Sequence, residues 1–138
     1  MDVIDHAFSG GLIGLALEPG PFLRDPAKPR ARWPLLGVLA ATFPDVDAVS
    51  YLWGADTFAR VHQTYTHNIL AFLLLPPLVA LALRIEQRGI ALFYAGMAAH
   101  LLGDVIATWP LRFLLPFSDR GFAFGLIQRD FSVLTVLR

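Results

Sequence analysis

The chain has 138 residues, 56% of them hydrophobic, and a mean hydropathy of +0.57, which places it on the membrane side of the globular average. Eleven basic and eleven acidic side chains cancel to zero net charge, so no whole-protein field attracts nucleic acid, and that class of partner drops out. The lack of cysteine excludes disulfides, a thiol nucleophile and sulfur-ligated zinc; any metal here must be held by nitrogen and oxygen.

The length suits one domain over residues 1–138. Asp2 and Asp5 stand where a secretory signal would be basic, so the first apolar stretch, Val3 to Leu17, is expected to persist as a first helix. The connector Glu18 to Trp33, EPGPFLRDPAKPRARW, is rich in proline and carries Arg24, Lys28, Arg30 and Arg32, the pattern of an irregular basic loop. Pro34 to Trp53 reads as a second helix, bracketed by Trp33 and Trp53 in the manner of interfacial aromatic anchors, with Pro44 arguing against straightness. Ile69 to Leu83, ILAFLLLPPLVALAL, has no polar side chain; Pro76 and Pro77 predict a kink that a membrane helix tolerates. Ile90 to Phe117 is the fourth apolar segment. Beyond Pro110 the pattern predicts a helix end, a loop through Ser118 to Gly121 and a short terminal apolar segment. The expected fold is all-α, a polytopic membrane helix bundle of about four spans with kinked helices.

Arg84 and Arg88 flank the turn after the third segment, whereas Arg60 is the lone basic residue between segments two and three. If four helices alternate, the two basic loops share a side, and the positive-inside rule places that side in the cytoplasm. His6, Asp45, Asp47, His62, His67, His100 and Asp104 then all fall in or near the outer half.

Those seven residues carry the chemistry. His100 and Asp104 in HLLGD are spaced i, i+4 and share one helix face, although a buried histidine bonded to a carboxylate one turn away is the plainer reading of that pair alone. PDVD places Asp45 and Asp47 after a helix-disfavouring proline; an Asx turn is the bland alternative, but acids flanked by membrane-grade apolar runs are expensive and by default functional. HQTYTH supplies His62 and His67, with Thr64 and Thr66 as possible hydrogen-bond partners. The i, i+5 spacing predicts one histidine on a loop and the other on the first helical turn. His6, near the N-terminus, fits a structural role as well as ligation. Together, histidine and carboxylate without thiolate suit zinc or manganese, and seven candidates exceed the about four ligands of one zinc. The surplus leaves room for a second ion or for a carboxylate acting as general base.

The order HAFSG, FPDVD, HQTYTH, HLLGD and LLPFSDRGFAFG resembles the YdjM-like membrane-bound metal-dependent hydrolases, whose pattern runs from an N-terminal His through PDxD, HRxxTH and HxxxD to a late PFS segment. The resemblance covers nearly the whole chain. It implies His6, Asp45, Asp47, His62, His67, His100 and Asp104 as the metal-centre set, one or two divalent ions, and residence in a bacterial inner membrane. Gln63 stands where the pattern has Arg, so an anion contact at that place is missing or comes from Arg60, Arg112 or Arg120; Asn68 replaces a usual Ser. The ligand order is more faintly similar to that of zinc-dependent phospholipases C, but no histidine follows His100, so a three-metal centre of that kind cannot be assembled.

The leading expectation is an integral membrane hydrolase whose metal activates water, with Asp45 or Asp47 bridging metals or accepting the proton, and with a lipid-borne phosphoester as substrate. A rival is a non-catalytic membrane protein that binds or conducts metal through the same ligands. A second is a structural protein whose polar residues hold helices together, and a third is a soluble helical hydrolase. Neither the oligomeric state nor the metal's identity follows from the sequence.

Overall fold

A computed structural model describes residues 3–19, 32–107 and 110–126. In chain order the helices are α1 (Val3–Ala16), α2 (Arg32–Thr42), a 3₁₀ helix (Phe43–Trp53), α3 (Ala55–Val61), α4 (Ile69–Ala82) and α5 (Gln87–Ile106). Among the described residues there is no strand beyond an isolated antiparallel bridge between Leu111 and Phe122, so the all-α expectation holds.

The second apolar segment changes pitch at Pro44. That ring would crowd the Ala40 carbonyl of an α-helix and brings no N–H, so the chain winds at about three residues per turn from Phe43 onward. Thr42 Oγ1 donates back to Val38 O at 2.9 Å on the turn before. The tighter helix ends at Gly54, whose φ of 104° is open to glycine and strained for other residues. The short α3 that follows was not anticipated in the sequence.

α4 runs through both of its prolines. Pro77 deprives the Leu73 carbonyl of its usual partner, and Tyr94 on α5 supplies a replacement: its Oη donates to Leu73 O at 2.8 Å. Asn68 caps the helix, its Oδ1 accepting from Ala71 N at 2.9 Å, which stops α4 from extending back to Thr66 and His67.

Two helices, rather than four, are long and apolar enough to cross a membrane among the described residues: Arg32–Trp53 and Gln87–Ile106. α1 and α4, with 14 residues each, reach about 21 Å against a hydrocarbon core of about 30 Å. The fourth apolar segment also proves composite. Its helix stops at Ile106, and Leu111–Phe117 is a separate irregular stretch that turns at Leu114–Ser118 and hands the Phe113 carbonyl to Ile69 N at 2.7 Å. Proline at 110 and 116 forbids the continuous helix that hydropathy alone invited. The predicted terminal apolar segment lies mostly outside the described residues.

α2 packs between α1 and α5, and α4 packs on α5. Gly14 abuts the Trp33 carbonyl, Gly10 abuts that of Gly37, and Gly96 abuts Ala40, so these backbones approach as closely as small residues allow. The pairings make α1 antiparallel to α2. Arg32 meets Glu86 at 3.3 Å and Ala41 meets His100 farther along, which makes α2 parallel to α5. The N-terminal ends of α1 and α4 and the C-terminal ends of α2 and α5 therefore gather at one end. Polarity is inverted relative to a water-soluble fold: Ile4, Leu52 and Leu81 are more than three-quarters exposed, while His6, His67, His100 and Asp104 are buried.

Candidate metal centre

All seven residues singled out in the sequence meet at that end. They form three overlapping triplets, His6–His100–Asp104, Asp45–His67–His100 and Asp45–Asp47–His62, in each of which the candidate ligand atoms lie within 4.8 Å of one another. His100 and Asp45 each belong to two triplets, so the three are one connected cluster.

The 3₁₀ pitch explains how two aspartates so close in sequence serve different neighbours. At three residues per turn, positions two apart point about 120° apart. Asp45 Oδ1 faces His67 Nε2 and His100 Nε2, both at 3.6 Å. Asp47 faces the loop between α3 and α4: its Oδ1 meets His62 Nδ1 at 2.7 Å, and its Oδ2 accepts from Thr66 Oγ1 at 2.8 Å and from Gln63 N at 3.1 Å. Gln63 reaches that position with a φ of 61°, a left-handed conformation rare for a side chain of its size. Both histidines of this loop sit between helices, His62 as the C-cap of α3 and His67 just before the α4 cap, so neither occupies a first helical turn. Asn68 ends the loop before that turn begins.

The hydrogen bonds fix where imidazole lone pairs point. His100 Nδ1 lies 2.6 Å from the Ala41 carbonyl, which only accepts, so Nδ1 carries the proton and the neutral ring turns a bare Nε2 into the cluster. That Nε2 faces His67 Nε2 at 2.9 Å and Asp104 Oδ2 at 3.3 Å. Thr66 Oγ1, while donating to Asp47, lies 2.9 Å from His67 Nδ1 and can accept its proton. This arrangement leaves His67 Nε2 bare as well. In that tautomer two lone pairs and the Asp104 carboxylate converge on one point, which a cation would satisfy. His6, stacked on His100 at 3.7 Å, adds two buried ring nitrogens with no hydrogen bond among the described residues, Nε2 standing 3.3 Å from Asp104 Oδ1. The donor set fits zinc or manganese on this ground.

Without a metal the cation is a proton. Burial alone would depress the His67 imidazole, which lies on the loop ahead of α4, but hydrogen bonds to Asp45 and Asp47 and the charges of Asp47 and Asp104 outweigh it and push its pKa up to about 9.

Of the threonines named in the sequence, Thr66 takes the anticipated part and Thr64 does not, its hydroxyl donating instead to Arg60 O at 3.1 Å. Of the three arginines considered for anion contact, Arg60 and Arg112 line a cleft with His62, whereas Arg120 lies over the Phe122 ring at 5.7 Å. The Ala41 carbonyl and the Gln63 amide were not foreseen. Both act through the backbone, which the side-chain pattern does not reveal.

No curated protein and no solved structure matches the chain. A family model described as YdjM inner membrane protein matches residues 1–137, nearly the whole length. With its apolar exterior and two helices of spanning length, the chain belongs to the YdjM inner membrane protein family.

Proposed function

We propose that the chain is a membrane-embedded, metal-dependent hydrolase acting on a phosphoester, with one or two zinc or manganese ions held by His6, Asp45, Asp47, His62, His67, His100 and Asp104. The observation that carries this reading is the convergence of bare imidazole nitrogens and carboxylates into one connected cluster.

A divalent ion at the cluster supplies Lewis acidity and activates water for attack on a phosphoryl or ester group. The protein's residues divide the remaining work. His100 is oriented by the Ala41 carbonyl, and Asp47, with three hydrogen bonds from His62, Gln63 and Thr66, is held as an organiser of the loop. Asp45 is less enclosed and makes only longer approaches to His67 and His100, which leaves it the better placed of the two aspartates to accept a proton from the attacking water.

The membrane arrangement belongs to the same proposal: about four helices enter the bilayer, α1 and α4 reaching only part of its depth. Arg32, Arg84 and Arg88 mark the end opposite the cluster, and in the sequence alone the stretch between α1 and α2 also carries Arg24, Lys28 and Arg30. Under the positive-inside rule that end is cytoplasmic and the cluster lies in the outer half. Transport is disfavoured because α1 and α2 are closed on each other at Gly10, Gly14 and Gly37, with no polar side chain at those contacts to extend a path.

The test is metal content by elemental mass spectrometry on detergent-purified protein, followed by a phosphoester hydrolysis screen. The parent is expected to hold one or two equivalents of zinc or manganese, lost on His100→Ala, with Asp45→Asn abolishing turnover. A parent that stays free of metal after reconstitution sinks the reading and leaves the polar cluster as a device for holding helices together.

A further inference from the structure

Two recesses open on either side of the 62–68 loop, and they differ in chemistry. One is a cleft of about 410 Å³ bounded by Arg60, His62, Gln63, Thr64 and Arg112. The other is a groove of about 510 Å³ that starts at Thr64 and Thr66 and continues along α4 past Leu70, Leu74 and Leu78, closed on one flank by Leu115. Thr64 lines both.

The cleft is built for an anion. Neither Arg60 nor Arg112 is paired with a carboxylate among the described residues, and both are exposed into the space beside His62. Gln63, only 9% exposed, lines the same cleft without adding a carboxylate to it. Guanidinium groups bind phosphate oxygens through paired N–H donors and keep their charge at any physiological pH.

The groove is built for hydrocarbon. Its walls are leucines on a helix without a polar side chain, within a chain whose family resides in the inner membrane. Both recesses also touch the cluster through one carboxylate, since His62 at the cleft and Thr66 at the groove each hydrogen-bond Asp47. A molecule occupying both would cross the 62–68 loop at Thr64, beside the residues that hold Asp47.

We propose that this site takes a phospholipid-like amphiphile, its phosphate held by Arg60 and Arg112 and one hydrocarbon chain lying in the α4 groove. The assignment rests on the hydrolase reading and names its substrate class. Phosphate on a soluble ester offers the cleft the same chemistry, and the groove separates the two sources.

The experiment titrates the full chain in uncharged detergent with three probes: dioctanoyl phosphatidic acid, glycerol phosphate and dioctanoylglycerol. Phosphatidic acid is expected to bind at least about tenfold more tightly than either of the others, because only it engages both recesses. Arg60→Gln with Arg112→Gln should weaken phosphatidic acid by about tenfold or more and leave dioctanoylglycerol unchanged. Leu74→Trp, which fills the groove from an exposed position, should weaken both lipids and spare glycerol phosphate, while Leu81→Trp, outside the groove, changes none of them. Glycerol phosphate binding as tightly as phosphatidic acid, or indifference to the paired arginine change, overturns the proposal. Metal content is read on every sample. A metal-free parent that still shows the three-probe pattern defeats the hydrolase reading alone, and a metal-loaded parent without the pattern defeats this inference alone.

Discussion

His67 and His100, one on the loop before α4 and the other on α5, meet nitrogen to nitrogen with Nε2 atoms 2.9 Å apart. Because Ala41 O fixes the proton of His100 on Nδ1, the approach brings a lone pair toward a second imidazole with Asp45 and Asp104 at its side. A proton on His67 would make this contact a hydrogen bond, and a metal ion at the proposed site would take the place of that proton.

Metal removal should therefore be felt as stability. An ion that binds the folded chain and not the unfolded one stabilises it in proportion to the logarithm of its concentration over Kd. Chelation of the metal-loaded parent in detergent is expected to lower Tm by several degrees, and adding zinc or manganese back should restore it. The His100→Ala variant should show a lower Tm that chelation does not move further. Equal Tm values for the parent with and without chelator contradict a resident metal.

Thr66 offers a gentler perturbation. Its hydroxyl stands between Asp47 Oδ2 at 2.8 Å and His67 Nδ1 at 2.9 Å, orienting two candidate ligands without contributing one of its own. Thr66→Val keeps the shape and removes both bonds. Loss of such an orienting partner typically weakens metal affinity by about 10–100-fold. Competition against a chromogenic chelator should show that loss with stoichiometry preserved, whereas Thr64→Val, whose hydroxyl serves only the Arg60 carbonyl, should leave affinity unchanged.

The seven cluster residues were legible in the sequence because ionisable groups in an apolar chain have few inexpensive places to be. Three of the four long helices were legible from hydropathy to within a few residues: α1, α4 and the combined Arg32–Trp53 segment. Less visible was everything decided by the backbone. The change of pitch at Pro44, which sends Asp45 and Asp47 to different neighbours, depends on a clash with a carbonyl four residues earlier. The sequence places the end of α5 only after Pro110, four residues past Ile106, because the residues between them are mostly apolar and carry no stop of their own. The close α1–α2 contact did leave a trace, in the four-residue spacing of Gly10 and Gly14, that is visible once sought.

That contact makes a sharp comparison between adjacent glycines. A Cβ at Gly10 would run into the Gly37 carbonyl, which is backbone and cannot step aside, while one at Gly11 would meet Val38 Cγ2 at an ordinary 3.5 Å. Gly10→Ala is expected to destabilise the protein by about 1–3 kcal/mol, as overpacking does, and Gly11→Ala to be near neutral. Thermal or denaturant unfolding in detergent measures both, and similar effects from the two changes would mean that α1 and α2 are not packed at this distance.

The Tyr94 hydroxyl and Pro77 should behave as a coupled pair. Tyr94→Phe strands the Leu73 carbonyl, at an expected cost of about 1 kcal/mol, because Pro77 has already removed the backbone donor that would otherwise serve it. Pro77→Ala returns that N–H. In the Pro77→Ala background, Tyr94→Phe should then cost much less, giving a coupling energy of about 0.5 kcal/mol or more in a double-mutant cycle. Strict additivity would show that the hydroxyl acts on its own account and not as a substitute donor.

Orientation can be settled with the chain's own lack of cysteine, since a single introduced thiol is then the sole target of a maleimide. Tyr65 is exposed on the loop at the cluster end, and Gln87 lies at the start of α5 beside Arg84 and Arg88 at the other end. With the basic end in the cytoplasm, Tyr65→Cys should react with a membrane-impermeant maleimide in intact cells, and Gln87→Cys only after permeabilisation. The reverse pattern would put the candidate metal centre on the cytoplasmic side and its substrate in the inner leaflet. Labelling of both in intact cells would mean that the cluster end and the basic end share a compartment, contrary to a helix bundle that crosses the membrane.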